Sequence, residues 1–152
     1  LTVARAGLAG ISNSTRGVFV GGRVPPNTKN EIEISAAAMP PTYLFNSKSN
    51  KCEEIMIEGL PLGGLKDEKF SMLKKSFQKG DVLVMISDGL PEAPNKDGEL
   101  LDYDAVKECV EKNSLKSAEE IKNELVKLSD NWMDGLHNPD DITIVVCKKL
   151  VT

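Results

Sequence analysis

The sequence has few of the residues that most often carry covalent catalysis or cross-links. Its 152 residues include one histidine, His137, and three cysteines. One histidine cannot form a multi-histidine metal site, and three widely spaced cysteines without a CxxC pair argue against a disulfide framework. We therefore interpret Cys52, Cys109 and Cys147 as reduced, small apolar residues of a cytoplasmic domain.

Long apolar runs and a strong excess of one charge are also missing. No stretch approaches the roughly 20 apolar residues that cross a bilayer, so we expect no membrane segment. The net charge is −4, with 40% hydrophobic and 28% charged residues, which is typical of a globular domain without a nucleic-acid surface. Residues 1–30 contain no Asp or Glu, so they cannot supply a carboxylate ligand.

Two acidic corners flank the C-terminal half of the chain. Asp88 closely follows the apolar run 82–86, and Asp140 closely precedes the apolar run 142–146. Each run predicts a buried strand. Carboxylates at the ends of two strands could hold Mg²⁺ or Mn²⁺, which prefer oxygen ligands and can activate water. Taken alone, each corner is more typical of an ordinary turn or cap, where Asp bonds to neighbouring backbone.

Strands are predicted before helices along the chain. Alternating polar and apolar residues over 31–36 indicate a half-buried strand, and the segments 42–45 and 52–57 predict two more. Residues 70–77 are expected to pair back as another strand, although their lysines also fit a helix.

Two helices are expected between the corners. Asp104 can cap one that runs to Lys112. Ser117 opens the other, where Glu120 completes a capping box, and this helix reaches the neighbourhood of Met133. Strands, then two helices, then a strand predict an α+β layered domain in which helices cover one face of an antiparallel sheet.

The segment 1–30 differs from the rest of the chain in composition. It is rich in Gly, Ser and Asn, and positions 18–20 predict a short strand closed by Gly21-Gly22. Positions 8–22 weakly resemble one segment of a kelch-like repeat, although one copy cannot form a propeller. A fusion, an insertion or an artificial junction would each explain this. We therefore predict a separate, Gly/Ser-rich segment over 1–30 and a main domain over 31–152.

A series of short motifs connects the two acidic corners to a known family. In chain order they are Ala38-Met39-Pro40-Pro41, Leu60-Pro61-Leu62-Gly63, Lys79-Gly80-Asp81, Ser87-Asp88-Gly89-Leu90-Pro91-Glu92-Ala93, Asp97-Gly98-Glu99-Leu100 and Asp140-Asp141-Ile142-Thr143. Together they resemble the SpoIIE-like branch of the PPM metal-dependent serine/threonine protein phosphatases. The resemblance runs from about residue 31 to the C-terminus.

The resemblance implies a PPM-like layered fold, with antiparallel β-sheets packed face to face and flanked by helices. It also implies a binuclear Mn²⁺ or Mg²⁺ centre, where an activated water attacks phosphoserine or phosphothreonine. Asp88 and Asp140 correspond to metal-binding aspartates of the family. Gly89, Asp141 and Thr143 correspond to positions that surround and support these ligands.

Two acidic motifs of the family are missing from this sequence. They are an Asp within a G-D-x-x-D strand and a D-x-x-G-H-G turn, and Ala38 stands where the family usually has Gly. We therefore expect the chain to be the C-terminal part of a phosphatase domain, incomplete at its N-terminus, with half of the metal shell.

Two functions remain open at this point. The first is a phosphatase domain that acts on a phosphorylated bacterial regulatory protein, which in this family is usually an antagonist of an anti-sigma factor. The second is a non-catalytic interaction or regulatory module with a degenerate or truncated metal site. We expect a phosphorylated protein partner and no nucleic acid. A homodimer is a further expectation, because an uncovered sheet edge can pair with another chain.

Overall fold

The computed structural model describes residues 9–12, 17–21, 30–62, 64–67 and 69–150. They divide into two compact units, one formed by residues 1–39 with 56–78 and the other by 40–55 with 79–152. The elements in chain order are β1 (Ala9–Ser12), β2 (Gly17–Gly21), β3 (Glu31–Ala37), β4 (Thr42–Asn46), β5 (Lys51–Ile55), β6 (Leu73–Ser76), β7 (Val82–Ile86), α1 (Tyr103–Asn113), α2 (Ala118–Met133) and β8 (Ile144–Lys148).

The first unit contains an antiparallel sheet in the order β1-β2-β3-β6. Strand β3 alternates as its sequence predicts, since Ile32 and Ile34 are buried. The segment that fitted either a strand or a helix is the strand β6. Its Lys74 lies opposite Glu33 of β3, with the ammonium 3.2 Å from the carboxylate. This cross-strand pair accounts for a lysine in a strand.

The short strand expected at residues 18–20 is present as β2. It pairs along its length with β3, so that Val18 lies opposite Ala36. The predicted domain boundary near residue 30 thus falls between two strands that pair with each other. That it separates two domains stays a prediction. The kelch-like resemblance also stays a prediction.

The second unit contains an antiparallel sheet in the order β5-β4-β7-β8. All five residues of β7 are buried, and this central strand is paired on both sides. Both helices pack on this sheet, and the shared core contains Tyr43, Val84, Ile86, Val106, Ile121 and Leu125. The Tyr43 hydroxyl also donates a hydrogen bond to the Tyr103 carbonyl, at 3.2 Å.

Helix α2 begins as predicted, and helix α1 does not. The Ser117 hydroxyl accepts from the Glu120 N–H and the Glu120 carboxylate accepts from the Ser117 N–H, which completes the expected capping box. The prediction that Asp104 caps α1 is wrong, since the cap is Asp102. The N–H of Asp102 donates to the Pro91 carbonyl at 2.8 Å. The backbone at Asp102 is thereby bonded to the loop before the helix, and helical geometry begins at the next residue.

The last strand begins at Ile144, two residues later than its apolar run predicts. The fold class is confirmed: the described residues form a mixed α+β structure with antiparallel sheets and two helices. Neither α1 nor α2 is long and apolar enough to cross a membrane, and the described residues contain no other helix.

Candidate functional site

The two acidic corners lie at the same edge of one sheet. Strands β7 and β8 pair antiparallel with Ile86 opposite Ile144, so the end of β7 lies beside the start of β8. The ladder extends past the strands, because the Ser87 N–H donates to the Thr143 carbonyl at 3.0 Å. Two chain segments that are far apart in sequence therefore meet at this edge.

Gly89 sits where the corners come closest. It is buried, and a Cβ at this position would lie 2.6 Å from the Asp141 carbonyl oxygen and 3.3 Å from the Asp140 carbonyl carbon. No side chain fits at such a distance from backbone atoms. Glycine is thus required here by the close approach of another chain segment.

The Ser87 hydroxyl connects the corners from the β7 side. It donates to the Asp141 carbonyl at 2.9 Å and accepts from the Thr143 N–H at 2.8 Å. One side chain thereby binds the backbone on both sides of Ile142, and Asp141 is held next to the turn that carries Asp88.

The Asn138 side chain connects the corners from the opposite side. Its amide nitrogen donates to the Gly89 carbonyl at 2.8 Å, and its amide oxygen accepts from the Asp140 N–H at 3.1 Å. The Asp140 carboxylate in turn accepts from the Asp141 N–H at 2.8 Å. The Asp140 corner is therefore organised by hydrogen bonds within itself and to Gly89.

All five site residues expected from the sequence lie at this edge. Asp88 is half-buried in the turn after β7, and Gly89 is buried beside it, whereas Asp140, Asp141 and Thr143 are exposed. Sequence reasoning missed the connecting residues. Ser87 had a signal, because the family motif that residues 87–93 resemble has Thr or Ser at this position, and both carry a hydroxyl. Asn138 had none.

The donor chemistry of this edge fits part of a site for a hard divalent cation. The carboxylates of Asp88 and Asp140 belong to neighbouring turns. Because Gly89 has no side chain, the turn that carries Asp88 can approach the backbone of Asp140 and Asp141 closely. Within residues 30–150, positions 63 and 68 excepted, no three His, Cys, Asp or Glu residues are grouped so that they could hold a metal ion. The described residues alone therefore do not complete a metal centre.

The cysteines do not add a second chemistry. All three are free. Burial raises the pKa of the Cys52 thiol to about 12, and burial also raises the thiol pKa values of Cys109 and Cys147. Thiols are nucleophiles and metal ligands as thiolates, so these protonated groups serve packing, as the sequence predicted.

The Lys79-Gly80-Asp81 motif lies at the opposite end of β7. Asp81 is fully buried, and its carboxylate accepts from both the N–H and the hydroxyl of Ser47, each at 2.8 Å. This motif connects β7 to the turn after β4 and lies away from the acidic corners.

The Asp97-Gly98-Glu99-Leu100 motif forms a turn. The Asn95 side-chain oxygen accepts from the N–H groups of Asp97 and Glu99, each at 2.9 Å. The Trp132 indole N–H donates to the Glu99 carbonyl at 3.2 Å, which fastens the turn to α2. The Lys79-Gly80-Asp81 and Asp97-Gly98-Glu99-Leu100 motifs therefore connect elements of the fold.

Comparison with known protein families identifies the family of this chain. A family described as Stage II sporulation protein E (SpoIIE) matches residues 19–149. The chain belongs to the SpoIIE family. This confirms the resemblance to SpoIIE-like PPM phosphatases, and the match begins upstream of residue 31, where the sequence motifs placed its start.

Phosphatases are among the proteins that resemble this chain. The chain is 29% identical over 127 residues to the phosphoserine phosphatase RsbU of Bacillus subtilis, which covers 81% of this chain and 36% of RsbU. Among solved structures, the PP2C domain of SiaA from Pseudomonas aeruginosa has a TM-score of 0.70 at 15% identity, over 88% of this chain and 51% of that one. The phosphatase domain of SpoIIE from Bacillus subtilis, presoaked with Mn, has a TM-score of 0.61 at 16% identity, over 80% and 52%.

The structural likenesses show that the SpoIIE-family chain has a PP2C-like fold. The chain spans about a third of the length of RsbU and about half of the two solved chains.

Proposed function

We propose that this chain is part of a metal-dependent phosphatase that hydrolyses phosphoserine or phosphothreonine on a bacterial regulatory protein. Asp88 and Asp140 are the proposed ligands for Mn²⁺ or Mg²⁺, and Gly89, Asp141 and Thr143 support them. The proposal rests on one observation above all: Gly89 lies so close to Asp141 that the two acidic corners form one edge. Membership of a family with phosphatase relatives is the second support.

Each residue of the edge has a defined part in this proposal. Asp88 and Asp140 offer carboxylate oxygens, which are the donors that hard divalent cations prefer. Gly89 allows the turns to approach, and the Asp141 and Thr143 backbones hold the Asp140 corner against Ser87. When bound, a divalent cation supplies a more acidic water and neutralises the charge of the phosphoryl group.

The alternative function is a non-catalytic interaction or regulatory module. One observation favours it: the described part of the chain groups no three metal-binding side chains. Two carboxylates would hold a cation weakly, because affinity depends on the number and charge of the ligands. The two functions predict different behaviour of the same chain.

Phosphate release from a phosphoserine peptide separates the two functions. We expect hydrolysis that requires Mn²⁺, that stops with EDTA and that falls at least about 100-fold in Asp88→Asn. Asp130→Asn is the matched control, because Asp130 is an exposed residue of α2. Equal rates for Asp88→Asn and the unchanged chain would exclude Asp88 as a ligand. A folded chain without hydrolysis would favour either an incomplete metal centre in this chain or the non-catalytic module.

The partner and the location belong to the same proposal. RsbU is named a phosphoserine phosphatase, which supports a phosphorylated regulatory protein as the partner. The free cysteines support the cytoplasm as the location. A homodimer stays a prediction, to be measured by light scattering across a range of protein concentrations.

A further inference from the structure

Two neutral side chains carry the cross-connections between the acidic corners. Ser87 belongs to the turn after β7 and binds the backbone of Asp141 and Thr143. Asn138 belongs to the loop before β8 and binds the Gly89 carbonyl. The connections therefore run in both directions, one from each corner to the other.

These connections act on backbone that directly adjoins the two carboxylates. Gly89 follows Asp88 in sequence, so a bond to the Gly89 carbonyl restrains the peptide unit beside Asp88. The other Asn138 bond restrains the Asp140 N–H. One amide group is thus bonded next to both proposed ligands.

We infer that Ser87 and Asn138 are positioning residues, which fix the Asp140 corner relative to Asp88 before any cation binds. All four hydrogen bonds of the two side chains are formed by uncharged groups and need no metal. Ligands that are already in place lose less conformational entropy when a cation arrives. The role of Asp88 and Asp140 as ligands rests on the proposed function, whereas the positioning itself can be measured without metal.

Mn²⁺ affinity of single variants tests this inference. We expect Ser87→Ala and Asn138→Ala each to weaken Mn²⁺ binding about 10-fold or more, the range known for residues that orient metal ligands. Ser87→Thr keeps the hydroxyl and should bind Mn²⁺ like the unchanged chain. Electron paramagnetic resonance of free Mn²⁺ gives the affinities at a temperature where every variant is folded.

The chain offers a matched control for each variant. The Ser47 hydroxyl donates to the Asp81 carboxylate at 2.8 Å and also lies 3.0 Å from the Lys79 carbonyl, at the far end of β7. Asn113 donates its amide to the Cys109 carbonyl at the end of α1. Ser47→Ala and Asn113→Ala should lower stability and leave Mn²⁺ affinity unchanged.

Backbone order parameters give a second measurement that needs no metal. In Ser87→Ala and Asn138→Ala, the ¹⁵N order parameters of Asp140 and Asp141 should fall from about 0.85 towards 0.6. Ser47→Ala should leave them unchanged.

The two measurements separate failure of the inference from failure of the proposed function. Order parameters that stay high in both variants would overturn the inference, and so would an equal loss of Mn²⁺ affinity in Ser47→Ala. If the unchanged chain binds no Mn²⁺ but the order parameters fall as expected, the positioning holds and the proposed metal site is wrong.

Discussion

The two ends of strand β7 carry the same residue type in opposite settings. Asp81 directly precedes the strand, is fully buried, and accepts two hydrogen bonds from Ser47. Asp88 lies two residues beyond the other end, half-buried, in a turn that meets a second acidic corner. Hydrogen bonds from Ser47 hold the Asp81 carboxylate within the fold, whereas the turn that carries Asp88 meets the backbone of a second acidic segment, where a cation could bind.

The glycines beside the two aspartates, Gly80 and Gly89, are required for different reasons. Gly80 has φ +86°, a conformation that residues with a side chain avoid. At Gly89 the need for glycine comes from the neighbouring backbone of Asp141. Three substitutions at the two ends of β7, ordered by their expected effect on the free energy of unfolding, test this contrast.

Asp81→Ala should have the largest effect on stability. It removes the acceptor for two donors of Ser47 from a fully buried position, so we expect a loss of about 3 kcal/mol in the free energy of unfolding. Urea denaturation measures it. Asp81→Asn retains a side-chain acceptor oxygen and should lose less, and equal losses in the two variants would show that the hydrogen bonds to Ser47 contribute little.

Gly89→Ala should come second, with a loss of about 2 kcal/mol, because the new methyl group forces the Asp141 backbone away. The same displacement should weaken Mn²⁺ binding. Gly80→Ala is the control, since its strain of about 1 kcal/mol lies at the other end of β7 and should not alter Mn²⁺ affinity. Unchanged stability of Gly89→Ala would mean that the corners are not in contact in solution.

Asp88→Asn should have the smallest effect on stability, within about 0.5 kcal/mol, because the substitution keeps the shape of a half-buried side chain. Its effect on Mn²⁺ affinity should nevertheless be large. Thermal unfolding with and without Mn²⁺ measures both, since a bound cation raises the melting temperature. A stability loss as large as that of Asp81→Ala would remove the contrast between the two ends of β7.

Elements with local signals were predictable from the sequence. The capping box of α2 is confined to the short segment from Ser117 to Glu120, and the apolar run of β7 is continuous. The start of α1 was not predictable, because it depends on a hydrogen bond from Asp102 to Pro91, which lies well before the helix in sequence. Both Asp102 and Asp104 are good cap residues, and only the tertiary contact distinguishes them.

The location of the candidate residues was predictable from the sequence, and the hydrogen bonds that connect them were not. Asp88, Gly89 and Asp140 belong to recognisable motifs, and the pairing of two apolar strands places them at one edge. The hydrogen bonds of Ser87 and Asn138 join groups from distant parts of the sequence, so even the hydroxyl position of the motif does not reveal which backbone groups it binds.

The pairing of β7 with β8 also has a consequence for folding kinetics. Both helices lie between these strands in the chain, so the corners can meet only after the whole segment from Ile86 to Ile144 has closed into a loop. Such non-local contacts are slow to form. The acidic edge is therefore expected to be among the last parts of the second unit to assemble, after α1 and α2 have formed.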